Sequence, residues 1–200
     1  MDFPAVLRKR PIIAAFRKIE SFVIEELDNI DVILILGGSI FDLPPIVKLA
    51  RTFKKIVFVD IDLLKGIGKD AAGIRFLAKE SKINGIVTTH GNLIKSIQQE
   101  GLFAIQRLFI LDSESLAGSL NAIKKSNPDA VDILPGLILP KIFKIIKTKI
   151  SIPIIAGGLI TEEDDIREIL ASGAIGISTT DHRLFQFSIN TPSAGFQGMK

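Results

Sequence analysis

The chain contains no cysteine, tryptophan or tyrosine, and only two of its 200 residues are histidine. The missing cysteines exclude disulfide bonds, thiolate catalysis and zinc–sulfur sites, and two histidines leave little for a histidine-ligated metal. We therefore expect neither a cofactor nor a metal. Without tryptophan, tyrosine or an aromatic-rich stripe, few side chains are available for nucleic-acid bases to stack on.

Long apolar runs are also missing. None reaches the roughly eighteen residues that a membrane span needs. The first ten residues, with Asp2, Pro4 and the basic run 8–10, make a poor signal peptide. We therefore expect a cytoplasmic protein without a membrane partner. A net charge of +3 is too small to indicate a polyanionic partner, so the distribution of charge must decide.

What is present is an alternation of short β-branched runs and amphipathic segments, in a chain that is 47% hydrophobic. Mostly apolar runs are typical of strands covered on both faces. Eight such units predict a small α/β protein, a single-domain (β/α)8 or TIM barrel over residues 1–188, followed by a disordered tail over 189–200. The predicted strands are 11–16, 31–36, 55–62, 85–89, 103–111, 130–134, 153–156 and 174–178. The predicted helices are 44–53, 71–79, 93–99, 116–125, 142–147 and 162–171.

The last two predicted strands each run into a loop of small residues, with Gly157 and Gly158 in the first and Ser178 and Thr179 in the second. Glycine lets backbone N–H groups approach an anion, and hydroxyl groups complete such a cradle. Successive loops of this kind at the C-terminal mouth of a barrel predict a phosphate site. The alternative is a tight turn followed by a helix cap.

The third predicted strand ends in two carboxylates, Asp60 and Asp62. Because side chains alternate between the two faces of a strand, residues two apart should both point to one face, here at the mouth. There they could act as acid and base, bind a hydroxylated ligand or hold Mg²⁺. The alternative is that they close the strand and cap the next helix. Arg17 and Lys18, after the first strand, could add positive charge to the same mouth, or they could lie in a solvated loop.

Arg107 lies inside the fifth predicted strand, beside Gln106. Opposite parity sends one of these side chains into the barrel and the other toward the helices. A buried arginine must find an anion, because an unpaired buried charge is too costly. Asp132, on the next strand, is the natural partner. Either a structural ion pair or a direct ligand contact follows from this arrangement.

Basic residues are concentrated before strands and at helix ends, which face the bottom of a barrel. RNA phosphates could bind such a face. The alternative is that these cations offset helix dipoles, as in many α/β proteins. The candidates for RNA contact are Arg8, Lys9, Arg10, Lys54, Lys55, Lys124 and Lys125.

Several segments resemble one family, the glycerol-3-phosphate-responsive antiterminators of bacterial glycerol-uptake operons. The most specific are Gln106-Arg107-Leu108-Phe109 and Leu134-Pro135-Gly136. Similar segments are Pro11-Ile12-Ile13-Ala14-Ala15, Asp62-Leu63-Leu64-Lys65-Gly66, Ala156-Gly157-Gly158-Leu159-Ile160 and Ile177-Ser178-Thr179-Thr180. The likeness covers roughly residues 3–187.

The resemblance implies a non-catalytic barrel that senses glycerol 3-phosphate and then acts on leader mRNA, so that transcription passes a terminator. It implies that the two loops described above, with Gly157, Gly158, Ser178 and Thr179, hold the phosphate. It also implies that Asp62, Arg107 and Asp132 line or brace the glycerol end of the pocket.

The chain departs from the family pattern at Asp60, where histidine is usual, and at His90, where arginine or lysine is usual. Both changes make the pocket less positive. If Asp60 and His90 face each other, their pairing would raise the histidine pKa.

Two other functions stay open. One is an isomerase or lyase that acts on a phosphorylated metabolite with Asp60 and Asp62 as acid and base. The other is a pseudo-enzyme whose ligand stabilises a protein complex. A homodimer is a candidate for the two-state element that a sensor requires, although no sequence feature marks an interface.

Overall fold

The computed structural model describes residues 2–189 and shows a closed barrel of eight parallel strands. Strands that are neighbours in the chain are neighbours in the barrel, and β1 closes it by pairing with β8. The predicted (β/α)8 fold is confirmed. Of the predicted tail, 190–200 lie outside the described residues. The strands are β1 (Ile12–Phe16), β2 (Val32–Ile35), β3 (Ile56–Asp60), β4 (Gly85–Thr88), β5 (Phe103–Phe109), β6 (Ala130–Leu134), β7 (Ile154–Gly157) and β8 (Gly176–Thr179).

Six α-helices follow strands β2 to β7, and one precedes β1, within residues 2–189. The six predicted helices agree with the observed bounds to within three residues. Each has an apolar stripe that packs on the outer face of the barrel. The helices are α1 (Phe3–Lys9), α2 (Leu43–Thr52), α3 (Ala71–Lys79), α4 (Ile94–Gln99), α5 (Ser113–Ser126), α6 (Leu139–Lys147) and α7 (Glu163–Ser172).

The first and last units of the barrel differ from the predicted strand–helix repeat. Two 3-10 turns, Ile19–Ser21 and Ile24–Leu27, connect β1 to β2, and a 3-10 turn, His182–Gln186, follows β8. The first connection is short of periodic apolar residues, because Ile24 and Leu27 provide only one buried turn. A full α-helix would have no stripe to bury there.

Both ends of α7 are capped. Glu162 is the N-cap, and the Asp165 carboxylate accepts hydrogen bonds from the backbone N–H groups of Thr161 and Glu162. Gly173 ends the helix with a left-handed φ of 116°.

Two layers of core hold the barrel. The outer layer lies between strands and helices. The inner layer fills the barrel, and α1 closes its bottom by inserting Phe3 and Leu7, both fully buried. The Phe3 ring lies 4.9 Å from that of Phe58 and 4.6 Å from that of Phe103, measured between ring centroids. The opposite end is left open, and this places the polar residues of the strand ends at the mouth.

Candidate functional site

A cleft of about 510 Å³ occupies the C-terminal mouth of the barrel. Exposed Leu63, Phe109 and Leu159 form part of its rim. Its polar lining comes from the ends of β1, β5, β7 and β8, so four separate strands converge on one space. These polar residues are Arg17, Arg107, Thr161, Ser178, Thr179, Thr180 and Asp181.

The floor of the cleft is a buried ion cluster of Asp60, Arg107 and Asp132. Arg107 donates from Nε to Oδ2 of Asp132 at 2.9 Å, and its Nη2 lies 2.9 Å from the same oxygen. Its Nη1 donates to Oδ2 of Asp60. The predicted pairing with Asp132 is confirmed, and Asp60 is a second partner. Gln106 points outward as predicted and accepts a hydrogen bond from Ser126 of α5.

The cluster carries two acids for one base. Burial raises the pKa of Asp60 and of Asp132, and the shared Arg107 guanidinium offsets only part of that effect. For Arg107, burial alone would lower the pKa, but the Asp132 and Asp60 carboxylates outweigh it and raise the pKa. The guanidinium therefore stays charged, and the two buried carboxyl groups retain protons at higher pH than exposed aspartates do.

The corner between β7 and β8 is built for close approach of the backbone. A Cβ added to Gly157 would lie 2.2 Å from Oγ of Ser178, so only glycine fits beside that hydroxyl. Gly158 and Leu159 follow with left-handed φ angles of 77° and 60°. A left-handed leucine is strained, and such strain clusters at binding sites.

Hydrogen-bond donors are available in this corner. Among residues 2–189, the backbone N–H groups of Gly158, Leu159 and Thr180 have no hydrogen-bond acceptor. Oγ of Ser178 makes only a long contact of 3.5 Å with Oδ1 of Asp132. Oγ1 of Thr179 accepts from the backbone N–H of Asp181 at 3.1 Å, which leaves its own hydroxyl proton to donate. Unpaired amides and hydroxyls of this kind suit an oxyanion.

The prediction that Asp60 and Asp62 share one face is wrong, because β3 ends at Asp60 and the chain turns. Oδ1 of Asp60 accepts from the backbone N–H of Asp62 at 3.0 Å, which forms that turn. Asp62 then points toward the end of β4, where it accepts from Oγ1 of Thr88 at 2.8 Å and from the backbone N–H of Thr89 at 2.6 Å. Asp62 therefore braces the loop after β3 and does not line the cleft.

Burial works to raise the pKa of Asp62, but the hydrogen bonds from Thr89 and Thr88, together with nearby His90, hold the pKa below its usual value. Nε2 of His90 lies 3.8 Å from Oδ1 of Asp62. The condition for a pairing of Asp60 with His90 is therefore not met, because Asp60 bonds to Arg107 inside the barrel, whereas the half-exposed His90 lies beside Asp62. His90, a predicted ligand residue, does not line the cleft.

Lys18, another predicted ligand residue, is exposed and does not line the cleft. Its neighbour Arg17 does line the cleft and brings the positive charge that was expected from the two. Both residues directly follow β1, so the sequence indicated that this loop lies at the mouth. The alternation of side-chain direction ends with the strand and does not tell which of the two points into the cleft. Sequence reasoning therefore could not choose between them.

The predicted RNA-contact residues fall into two groups. Arg10 pairs with Asp31 at 2.9 Å, and Nζ of Lys55 donates to the backbone carbonyls of Leu27 and Ile30. These two cations already have structural contacts at the bottom of the barrel. The exposed group consists of Arg8, Lys9, Lys54, Lys124 and Lys125.

Residues 2–189 contain no group of three histidine, aspartate or glutamate side chains placed to hold a metal ion. Nor do they contain a helix that is long and apolar enough to cross a bilayer.

The fold and the site define a class, a small parallel (β/α)8 barrel with a polar cleft at its C-terminal mouth. Within that class, the sequence profile of the family described as glycerol-3-phosphate responsive antiterminator matches residues 12–185. The chain belongs to this family.

The chain is also similar to the uncharacterized protein YgcP of Escherichia coli (strain K12), which is 36% identical over 176 residues, 88% of this chain and 92% of that protein.

Two crystal structures are also similar. The glycerol uptake operon antiterminator regulatory protein of Listeria monocytogenes is 34% identical, with a TM-score of 0.78 over 86% of this chain and 92% of that one. A glycerol uptake operon antiterminator-related protein of Thermotoga maritima is 31% identical, with a TM-score of 0.80 over 89% and 99%. The deoxyribose-phosphate aldolase of Aeropyrum pernix, 11% identical with a TM-score of 0.66, shares the fold alone.

Proposed function

We propose that this protein is a cytoplasmic, glycerol-3-phosphate-responsive transcription antiterminator. In this proposal it binds the leader mRNA of glycerol-utilisation operons when the ligand occupies the C-terminal mouth. The observation that carries the proposal is the corner between β7 and β8, where unpaired backbone amides meet the hydroxyl of Ser178 in a chain of this family.

The phosphate end of the ligand is assigned to that corner. Gly157 and Gly158 have no side chain that would keep the anion away from the backbone N–H groups, and Ser178 and Thr179 offer hydroxyl donors. Arg17 lines the same cleft and supplies positive charge. A phosphate monoester has the oxygens and the charge to accept from all of these groups.

The glycerol end is assigned to the floor. Arg107 lines the cleft and has five N–H protons, of which its carboxylate partners take three. The others can donate to the hydroxyl groups of the polyol. Asp132 and Asp60 fix the guanidinium, and Asp62 acts one step further out by holding the loop after β3.

The enzyme alternative needs Asp60 and Asp62 to reach one substrate. The geometry opposes this, because the Asp60 carboxylate is buried against Arg107 and the Asp62 carboxylate faces β4. Turnover of a triose or pentose phosphate that Asp62→Asn abolishes would favour an isomerase or lyase over the sensor.

Filter binding tests the proposal. The probe is a labelled transcript of the leader that precedes the glycerol-uptake genes, titrated with protein in the presence and absence of glycerol 3-phosphate. A ligand that favours one state must bind it better, so RNA affinity should rise when ligand is present. Equal and weak retention under both conditions would contradict it. Sedimentation under the same conditions tests whether a homodimer is the responding state.

A further inference from the structure

A groove at the bottom of the barrel has four cations and no carboxylate in its lining. It lies between the C-terminal ends of α2 and α3 and has a volume of about 470 Å³. Arg51, Lys54, Lys55 and Lys82 line it, together with the polar Asn84. Arg51, Lys54 and Lys82 are exposed, whereas Lys55 is half-buried and fixed by backbone carbonyls.

Two of these lysines have an unfavourable backbone conformation. Lys54 and Lys82 have left-handed φ angles of 56° and 53°. Residues other than glycine, asparagine and aspartate rarely adopt that region, because their Cβ crowds the neighbouring carbonyl oxygen. Strain of this kind persists where the side chain has a use.

The end of α4 shows what the same turn looks like without a lysine. At α2, the N–H of Lys54 donates to Arg51 and the N–H of Lys55 donates to Ala50. At α4, the N–H of Gly101 donates to Gln98, and the next N–H donates to Ile97 in the same pattern. Gly101 has a φ of 76°, so glycine fills the position at α4 that lysine fills at α2.

Offsetting a helix dipole does not explain this placement. A cation anywhere in the last turn of a helix offsets the dipole, as Arg51 and Lys79 already do at α2 and α3. Lysines at left-handed positions add strain without adding to that effect. Their shared property is that both border the one groove.

We propose that this groove binds the phosphate backbone of RNA, with Lys54 and Lys82 as its main contacts. The proposal rests on the proposed antiterminator function and deepens it by placing the RNA at the end of the barrel opposite the ligand. A concave surface lined by cations without acids suits a run of phosphodiesters.

The groove is also connected to the ligand site through two strands. β3 begins directly after Lys55 and ends at Asp60, which bonds to Arg107 in the floor of the cleft. Those five residues span about 13 Å. β4 begins after Asn84, whose side chain accepts from the N–H of Val57, and ends at Thr88, which donates to Asp62. One pair of strands therefore runs from the groove to the braces of the ligand site.

The double variant Lys54→Gly/Lys82→Gly tests the proposal without risk of unfolding, because glycine relieves the strain. We expect its melting temperature to rise by about 2–4 °C per relieved position. The slope of log affinity for the leader transcript against log salt should become shallower by about 0.7–0.9 for each lysine that contacts a phosphate. Affinity for glycerol 3-phosphate should stay unchanged.

Two matched variants separate charge from strain. Lys141→Ala/Lys144→Ala removes the same charge from exposed positions of α6, outside the groove, and should leave the slope nearly unchanged. Lys54→Arg/Lys82→Arg keeps both charges at the same left-handed positions, and should leave both the slope and the melting temperature close to those of the wild type.

The outcomes are distinct. An unchanged slope in the glycine double variant, or an equal loss in the Lys141/Lys144 variant, would overturn the groove as the RNA site while leaving the antiterminator function intact. A wild-type protein that retains no leader RNA with glycerol 3-phosphate present would overturn the function itself.

Discussion

Arg107 is the residue on which the mouth of the barrel depends. It reaches Asp132 on the neighbouring strand and Asp60 two strands away on the other side, so one side chain ties three strands together inside the barrel. All three groups are almost fully buried. Charges in such a place are tolerated only as a set, because each alone would meet a large desolvation penalty.

Replacing Arg107 with methionine should therefore destabilise the fold strongly. The variant buries two carboxylates without their cation, and we expect the free energy of unfolding at pH 7 to fall by about 3–5 kcal/mol. Urea denaturation followed by circular dichroism measures it. Arg75→Met is the control, since Arg75 is exposed and the loss of its surface pair with Glu100 should change stability little. Equal stability of the Arg107 variant and the wild type would contradict this account.

The loss of stability in the Arg107→Met variant should also depend on pH. Without the guanidinium, the pKa values of Asp60 and Asp132 rise further above the ordinary value of 3.8. A raised folded-state pKa contributes stability that is present below the unfolded value and is lost as pH rises through the folded value. The gap between variant and wild type should therefore narrow as pH falls from 7 toward 4. A gap that is constant over that range would show that the carboxyl groups are not its cause.

Part of this cluster was predictable from sequence and part was not. Arg107 and Asp132 lie inside neighbouring strands, where a period of two fixes which face each side chain takes. Asp60 belongs to β3, which does not touch β5, and register across a barrel is set by closure rather than by local pattern. The prediction of which face Asp62 takes was wrong, because β3 ends at Asp60, two residues before the end of the predicted strand.

At the scale of elements, α1 decides how the barrel is closed. Its seven residues follow an Asp2 N-cap and include Pro4 in the first turn, and they place Phe3 against Phe58 and Phe103. The helix is too short to be stable alone and forms because its apolar side plugs the barrel. Phe3 and Leu7 thereby belong to the same inner core as the apolar side chains that the strands point into the barrel.

Phe3→Ala should remove most of that plug. The lost aromatic contacts and the resulting cavity predict a decrease of about 3–5 kcal/mol in the free energy of unfolding. Arg8→Ala, on the exposed side of the same helix, is the matched control and should leave stability nearly unchanged. Denaturant titration of the three proteins measures both effects. Similar losses in the two variants would mean that the helix does not act through its buried face.

Sequence periodicity predicted the elements that are long and regular, and failed where they are short. The six helices after β2 to β7 carry clear apolar stripes, so their existence followed from spacing alone. In α1 there are only two buried residues, one turn apart, which is too little repetition to register as a helix. The 3-10 turns after β1 and β8 were not predicted for the same reason.

At the scale of the whole molecule, the two ends of the barrel have different chemistry. The mouth offers a small anion unpaired backbone amides, hydroxyl groups and the Arg107 guanidinium in its floor. The bottom is closed by α1 and carries exposed cations. A sensor needs its ligand to favour one state of the surface that acts. In the proposed sensor, β3 and β4 run between these two regions and would provide the physical link between ligand and RNA.

The central claim is that the corner between β7 and β8 holds the phosphate of glycerol 3-phosphate. Isothermal titration calorimetry of the wild-type protein and of Ser178→Ala tests it most directly, with glycerol as the control ligand. We predict saturable binding of glycerol 3-phosphate, no binding of glycerol, and about 10- to 150-fold weaker binding by the variant, since a hydrogen bond to a charged group contributes about 1.5–3 kcal/mol. No heat with glycerol 3-phosphate, or equal affinity in both proteins, would contradict the account.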